Sequence, residues 1–200
     1  MKDFFRIVSL VALLCVGLSG TLSHAVELRV SRDALQRTLH QQLFNTPGAR
    51  YYLKGDAKSP CFVYADDAQI HFLQDRVAVV IQTHAKVGKT MGNSCWGISL
   101  NSSPEVSLSP FGQGELIGFQ DAKLDKIVDN REINFLVSPF LSHQLPHSMM
   151  INAGDLLRKA LANSTASCGY KVSLSQFVIR SMRVEGDDIV VEADGGLAVK

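Results

Sequence analysis

The sequence lacks most of the features that identify enzymes and membrane-spanning proteins. It contains no glycine-rich phosphate loop, no nucleophile-elbow motif and no Cys-x-x-Cys metal motif. After residue 25, no apolar run is long enough to cross a bilayer as a helix. We therefore predict a non-enzymatic protein without catalytic residues, metal ligands, a cofactor or a transmembrane segment in its mature part.

The chain also lacks an excess of charge of either sign. It has 20 Lys and Arg and 19 Asp and Glu residues, and Lys2, Asp3 and Arg6 belong to the first 25 residues, so 18 of each sign remain. Such a balance creates no strong overall field that would steer the protein toward nucleic acid or an anionic membrane. No nucleic-acid partner is predicted.

The first 25 residues have the pattern of a secretory signal peptide. Lys2 and Arg6 precede the apolar run 7–18, which is too short for a permanent membrane span. Small residues at positions 23 and 25 favour cleavage before Val26. We expect a periplasmic or secreted protein with one domain over residues 26–200, and an uncleaved anchor is the alternative. Acylation at Cys15 is disfavoured because Leu14 precedes it.

Three cysteines follow the signal segment, and an oxidising compartment favours one disulfide between two of them. If 62–72 and 76–87 form an antiparallel pair, Cys61 and Cys95 lie at the same edge of the sheet. This placement predicts a Cys61–Cys95 disulfide and leaves Cys168 unpaired. Three free thiols are the alternative.

An amphipathic helix is predicted near the start of the mature chain. Ser31 is an N-cap residue, and Leu35, Leu39 and Leu43 recur every four residues. The helix is expected to end before Pro47. Its leucine stripe must pack against another element.

Alternation of apolar and polar residues predicts strands after residue 61. The clearest signals are a long hairpin from 62–72 and 76–87, and strands at 95–100, 106–108 and 114–123. The 12-residue run 76–87 is longer than a typical strand of about 5 to 6 residues, which favours a curled sheet.

The last third of the chain returns to a helical pattern and then to strands. An apolar stripe over 135–145 is interrupted at Pro139, and Asn152 opens a further helix. Strands at 176–185 and 188–194 flank a tight turn. The fold class is therefore α+β, with helices on one face of an antiparallel sheet and a C-terminal hairpin.

Polar residues with suggestive spacing do not predict a site. His143 and His147 have the i, i+4 spacing of a metal pair, but Pro146 breaks the helix that this spacing requires. Asp66 and Asp67 are consecutive strand residues, so their carboxylates point to opposite faces unless a bulge intervenes.

Apolar residues at strand and helix spacing are candidates to line a ligand cavity. They are Leu35, Leu39, Ile70, Phe72, Val79, Ile81, Phe119 and Ile179. In one interpretation, which we favour, they pack together as a closed core. In the other, part of the interior stays open to an acyl chain or another apolar ligand.

The pattern resembles exported bacterial domains of the YceB type, which are similar in fold to the tubular lipid-binding (TULIP-like) superfamily. The resemblance rests on Val30-Ser31 before the leucine-spaced helix, on 68–70 before a long strand, and on 111–121, 140–142 and 182–191. It implies a long N-terminal helix embraced by a curled antiparallel sheet, with an apolar groove. It implies no catalytic residues.

Two functional hypotheses follow. The first is a non-enzymatic periplasmic protein that binds a lipid or another apolar ligand. The alternative is a protein-interaction or assembly factor of the cell envelope with a closed core, which docks a protein partner through a strand edge or the segment 135–150.

Overall fold

The computed structural model describes residues 25–46, 48–126, 130–168 and 171–199. Nearly all of the predicted signal peptide, 1–24, lies outside these residues. The first described strand begins at Ala25, beside the predicted cleavage site. The signal peptide and the exported location stay predictions.

Strands account for most of the described residues, with helices in two places along the chain. The first part contains β1 (Ala25–Ser31), α1 (Arg32–Leu43), β2 (Tyr51–Lys54), β3 (Phe62–Phe72), β4 (Val77–Met91), β5 (Ser94–Ser102), β6 (Glu105–Gln113) and β7 (Leu116–Lys126). The second contains α2 (Arg131–Pro139), a π-helical turn (Phe140–Gln144), α3 (Leu145–Ser148), β8 (Ile151–Asn152), α4 (Ala153–Cys168), β9 (Val172–Glu185) and β10 (Asp188–Val199). The broad α+β prediction is confirmed.

The described strands form two antiparallel sheets. The larger is the predicted curled sheet and has the order β2-β3-β4-β6-β7-β8, with β5 paired to β4. The smaller has the order β1-β10-β9 and was not predicted as a separate sheet. The two meet where the Ile179 amide donates to the Gly114 carbonyl oxygen at 2.8 Å.

Helix α1 has the predicted buried stripe of Leu35, Leu39 and Leu43 but is not the predicted long helix. It has 12 residues, which corresponds to about 18 Å. The amide of Phe44 donates to the carbonyl oxygen of His40 at 2.9 Å and caps the last turn. The sheet therefore packs against a short helix rather than wrapping around a long one.

Strand β4 has different partners along its two halves. One edge pairs with β3 over Val77–Lys86, while the other pairs first with β6 and then with β5. Beyond Lys86, β4 is paired with β5 alone. The two strands continue past the body of the sheet as a hairpin.

Prolines interrupt the helices and strands less than the sequence suggested. Pro139 ends α2 and the π-helical turn follows, which matches the predicted kink. Pro146 lies within α3, and β6 continues through Pro110. At Pro110, β6 is paired only with β7, so its missing N–H removes no hydrogen bond to β4.

Candidate functional site

An apolar groove lies between helices α1 and α4, next to strands β1, β7 and β8. Its volume is about 280 Å³. Nine of its eleven lining residues are apolar, and the other two are Arg29 and Thr38. The apolar nine are Leu28, Val30, Ala34, Ile117, Ile151, Ala153, Leu156, Leu157 and Ala160. A concave surface of this composition suits the apolar part of a ligand.

The groove is open to solvent along helix α4. Ile117, Ile151 and Ala153 are buried, whereas Leu156 is 56% exposed although it lines the same cavity. A leucine with this exposure leaves apolar surface in contact with water. A ligand that covered Leu156 would remove that surface from water and gain free energy.

The leucine stripe of α1 determines which of its residues face the groove. Leu35 and Leu39 are fully buried in the core, so Ala34 and Thr38, one position earlier along the chain, turn toward α4. The Ser31 hydroxyl oxygen accepts the Ala34 amide at 3.3 Å and starts the helix at this point. The Thr38 hydroxyl donates to the Ala34 carbonyl oxygen at 3.0 Å, within the helix.

Helix α4 is held in place at its N-terminus by Asn152 and Glu115. The Asn152 side chain accepts the Asp155 amide at 2.9 Å, and the Glu115 carbonyl oxygen accepts the Ala153 amide at 3.0 Å. The Glu115 carboxylate also accepts a hydrogen bond from Arg158 Nη1 at 2.7 Å, and Nη2 donates to its other oxygen. This bond lowers the pKa of Glu115 and raises the pKa of Arg158.

Gly154 makes the approach of Glu115 to α4 sterically allowed. A Cβ atom at this position would lie 2.4 Å from Glu115 Oε2 and 2.6 Å from its Cδ. Any larger residue would have to displace the carboxylate. Gly154 therefore leaves room for the Glu115 carboxylate beside the first turn of α4.

A second, polar cavity continues the groove. It also has a volume of about 280 Å³ and shares Thr38, Ile151 and Leu156 with the apolar one. Its other lining residues are mostly polar and are Gln41, Gln42, Met150, Asn152, Asp155 and Lys159. The two cavities together offer an apolar compartment and an adjoining hydrogen-bonding compartment.

Arg29, the cation that lines the apolar groove, is already paired with carboxylates. Arg29 Nε lies 2.7 Å from the Glu27 carboxylate, and its other nitrogens lie 3.4 Å from Glu185 and 3.9 Å from Asp188. The hydrogen bond to Glu27 is the main reason that the pKa of Arg29 is raised. The polar end of a ligand would therefore contact the hydrogen-bonding groups of the polar cavity, which include Lys159. Arg29 would offer it no charge that is not already paired.

The residues predicted to line a cavity lie in the hydrophobic core or at its border, and none of them lines this groove. They are Leu35, Leu39, Ile70, Phe72, Val79, Ile81, Phe119 and Ile179. Their contact with a ligand stays a prediction. The groove instead uses β1 and α4, which sequence reasoning did not connect. The alternation of Leu28 and Val30 was the available signal for β1.

Cys61 and Cys95 form a disulfide with a Cα–Cα distance of 5.0 Å, as predicted. Cys61 lies just before β3, and Cys95 lies on β5 opposite Thr90 of β4. The bridge therefore joins the base of β3 to the β4–β5 hairpin. Cys168 is the last residue of α4, and its side chain lies outside the described part of the chain.

The structure also gives the surroundings of the acidic residues and of the segment 135–150 that the sequence singled out. Of the described side chains, no group of three or more His, Cys, Asp or Glu could hold a metal ion. In the segment 135–150, Leu145 and Met149 are fully buried, whereas Phe135 is 79% exposed. A bulge follows Asp66, whose carboxylate lies 3.2 Å from His84 Nε2. None of the helices in the described ranges is long and apolar enough to cross a membrane.

Comparisons with known proteins add one distant structural similarity. No protein-family model and no curated protein matches the chain. A crystal structure of lipopolysaccharide binding protein is similar at 11% sequence identity and a TM-score of 0.29, over 87% of this chain and 50% of that one. The chain spans about half the length of that structure. A similarity of this strength carries no argument about the ligand, and the resemblance to YceB-type domains stays a prediction.

Proposed function

We propose that this protein binds a lipid or another molecule with an apolar chain and a polar end, without catalysing a reaction. The apolar groove between α1 and α4 is the observation that carries the proposal. It supports binding of an apolar chain because nine of its eleven lining residues are apolar. The adjoining polar cavity would accommodate the other end of the same ligand.

The free energy of binding would come mainly from the apolar chain. Each methylene group that leaves water contributes about 0.8 kcal/mol, and covering Leu156 adds to this gain. Gln41, Gln42 and Lys159 would hydrogen-bond the polar end. Arg29 would contribute little because three carboxylates already surround it.

Titration with the fluorescent fatty acid parinaric acid, followed by displacement with dodecanoate, tests this proposal. Ala160→Phe places a ring at the groove wall and should weaken binding about tenfold or more, or abolish it. Ala162→Phe is the matched control, because Ala162 is an exposed residue of the same helix that does not line the groove.

Saturable uptake that is lost in Ala160→Phe and retained in Ala162→Phe would support the proposal. Absence of saturable uptake by the native protein would contradict it. Equal affinity in the two variants would place the binding elsewhere. Circular dichroism should give the same helix and strand content for both variants.

We also propose that the protein acts outside the cytoplasm after removal of residues 1–25. Native mass spectrometry of the protein isolated from its host tests this location and the ligand together. A polypeptide that begins at Val26 and carries a non-covalently bound small molecule is the expected result. An intact Met1 would contradict cleavage, and only ligand-free protein would count against binding.

A further inference from the structure

The β4–β5 hairpin projects beyond the body of the larger sheet and forms an arm. We define the arm as Val87–Met91 and Ser94–Ile98, the part of the hairpin beyond the last β3 pair, Phe62 with Lys86. Its cross-strand partners are Val87 with Ile98, Lys89 with Trp96, and Met91 with Ser94. Directly opposed residues of an antiparallel pair lie on the same face, so these six residues share one face of the arm.

This face continues the core-facing side of the sheet but is uncovered. Alternate residues earlier in β4, such as Ile81 and Ala85, point into the core. Further along the same face, Met91 is 52% exposed, Trp96 67% and Ile98 46%. An exposed group of large apolar side chains on a projecting hairpin indicates an interaction surface.

The surface extends from the arm onto helix α2. Val87 lines a cavity of about 420 Å³ together with Lys54, Arg131, Phe135 and Leu136. Phe135 is 79% exposed, the largest exposure among the apolar residues of this surface. Because Ile98 pairs with Val87, the apolar face of the arm continues through Val87 to Phe135 at this cavity.

The charged residues of the arm and of this cavity lining are basic. Lys89, Lys54 and Arg131 are basic, and no Asp or Glu occurs in the chain between Asp75 and Glu105, which includes the whole arm. This contrasts with the overall balance of 20 basic and 19 acidic residues in the chain. The local excess of positive charge is complementary to an anionic surface.

We infer that the arm docks onto the surface of an anionic lipid membrane. Tryptophan places its apolar ring and polar N–H at the level of lipid headgroups, and lysine and arginine bind the anionic phosphates. The Cys61–Cys95 bridge holds the arm to β3. The arm thus presents Trp96, Met91 and Ile98 on a support that is ordered before binding. This inference stands independently of the proposed groove ligand.

The single tryptophan of the chain makes the test direct. Fluorescence excited selectively at tryptophan, without exciting the four tyrosines, reports on Trp96 alone. Vesicles of phosphatidylcholine with added phosphatidylglycerol should shift the emission to shorter wavelength, and bromine-labelled acyl chains should quench it. Vesicles of phosphatidylcholine alone should produce a much smaller shift, and added salt should weaken the effect.

Variants at the arm separate the contributions of charge and apolar area. Lys89→Gln should lower the partition coefficient about fivefold, as expected for one lysine near an anionic surface. The double variant Met91→Ser with Ile98→Ser keeps Trp96 and should abolish quenching by the brominated chains. Lys123→Gln removes an exposed lysine of β7 and should leave binding unchanged.

The outcomes distinguish other occupants of the surface. Absence of any vesicle-dependent shift would overturn the inference, as would equal loss of binding in Lys123→Gln. A blue shift that grows with protein concentration without vesicles would assign the surface to a second copy of the chain. Ala160→Phe should leave vesicle binding intact, and the arm variants should retain uptake of parinaric acid, so failure of one proposal is separable from failure of the other.

Discussion

The carboxylate of Glu115, in the turn between β6 and β7, accepts hydrogen bonds from two guanidinium nitrogens of Arg158 on helix α4. The same residue accepts the Ala153 amide through its carbonyl oxygen. Glu115 thus holds α4 at its first turn and again one turn later. Since α4 forms one wall of the apolar groove, this pair connects the sheet to the position of that wall.

We predict that Glu115→Gln makes stability less dependent on pH in the acidic range. Because Arg158 lowers the pKa of Glu115 in the folded protein, the pair stabilises the fold above the unfolded pKa of about 4.3. That contribution is lost as pH falls through the lower, folded pKa. Urea unfolding should therefore give a lower free energy of unfolding for Glu115→Gln than for the native protein at neutral pH. This difference should shrink at acidic pH. Asp187→Asn, at an exposed partner of Arg32, is the control and should have little effect.

Removal of the disulfide is expected to destabilise the protein substantially. The bridge spans a sequence separation of 34 residues, and the chain-entropy model assigns about 3 to 4 kcal/mol to closing such a loop. Cys61→Ser should lower the melting temperature under oxidising conditions, and excess reductant should remove the difference. Cys168→Ser is the control and should change the melting temperature little. Detection of three free thiols after unfolding without reductant would refute the bridge.

The arm requires glycine at positions 88 and 97. A Cβ on Gly97 would lie 2.0 Å from the carbonyl oxygen of Val87. A Cβ on Gly88 would lie 2.1 Å from the carbonyl oxygen of Trp96. Gly97→Ala should therefore lower the free energy of unfolding by about 1 to 3 kcal/mol, as overpacking does, and should alter the Trp96 emission. Ser99→Ala, at an exposed position of the same strand, should change neither quantity in chemical denaturation followed by fluorescence.

The N-cap of α1 should contribute measurably to stability. Ser31→Ala removes the acceptor of the Ala34 amide and should cost about 1 kcal/mol in urea unfolding. Ser31→Thr retains a capping hydroxyl and should behave like the native protein. Equal destabilisation by both substitutions would indicate that the side chain acts through packing instead.

Patterns within short stretches of sequence predicted the regular elements. The spacing of Leu35, Leu39 and Leu43 predicted the buried stripe of α1, and the alternation around Ile70 and Val79 predicted the β3–β4 hairpin. Helical and strand periodicity are local consequences of backbone geometry, so they are visible in one sequence. The Cys61–Cys95 bridge was predictable because it follows from the hairpin and the short turns around it.

Features that depend on distant residues were not predictable in the same way. Strand β1 pairs with β10, more than 150 residues later in the chain, and its own short alternation did not specify that partner. The sequence could not reveal which surface of α1 would remain next to a groove. Ala34 and Thr38 line it because α4 packs beside them without filling the space.

Local periodicity and neighbouring elements were enough to specify the α+β class, the leucine stripe of α1, the long hairpin and the disulfide partners. The tertiary structure decided the division into two sheets, the closed packing around Val79 and Ile81, the groove beside Leu156 and the exposure of Trp96. These depend on how far paired strands extend past one another and on how helices pack over them. Such relations are set by contacts between residues far apart in the chain.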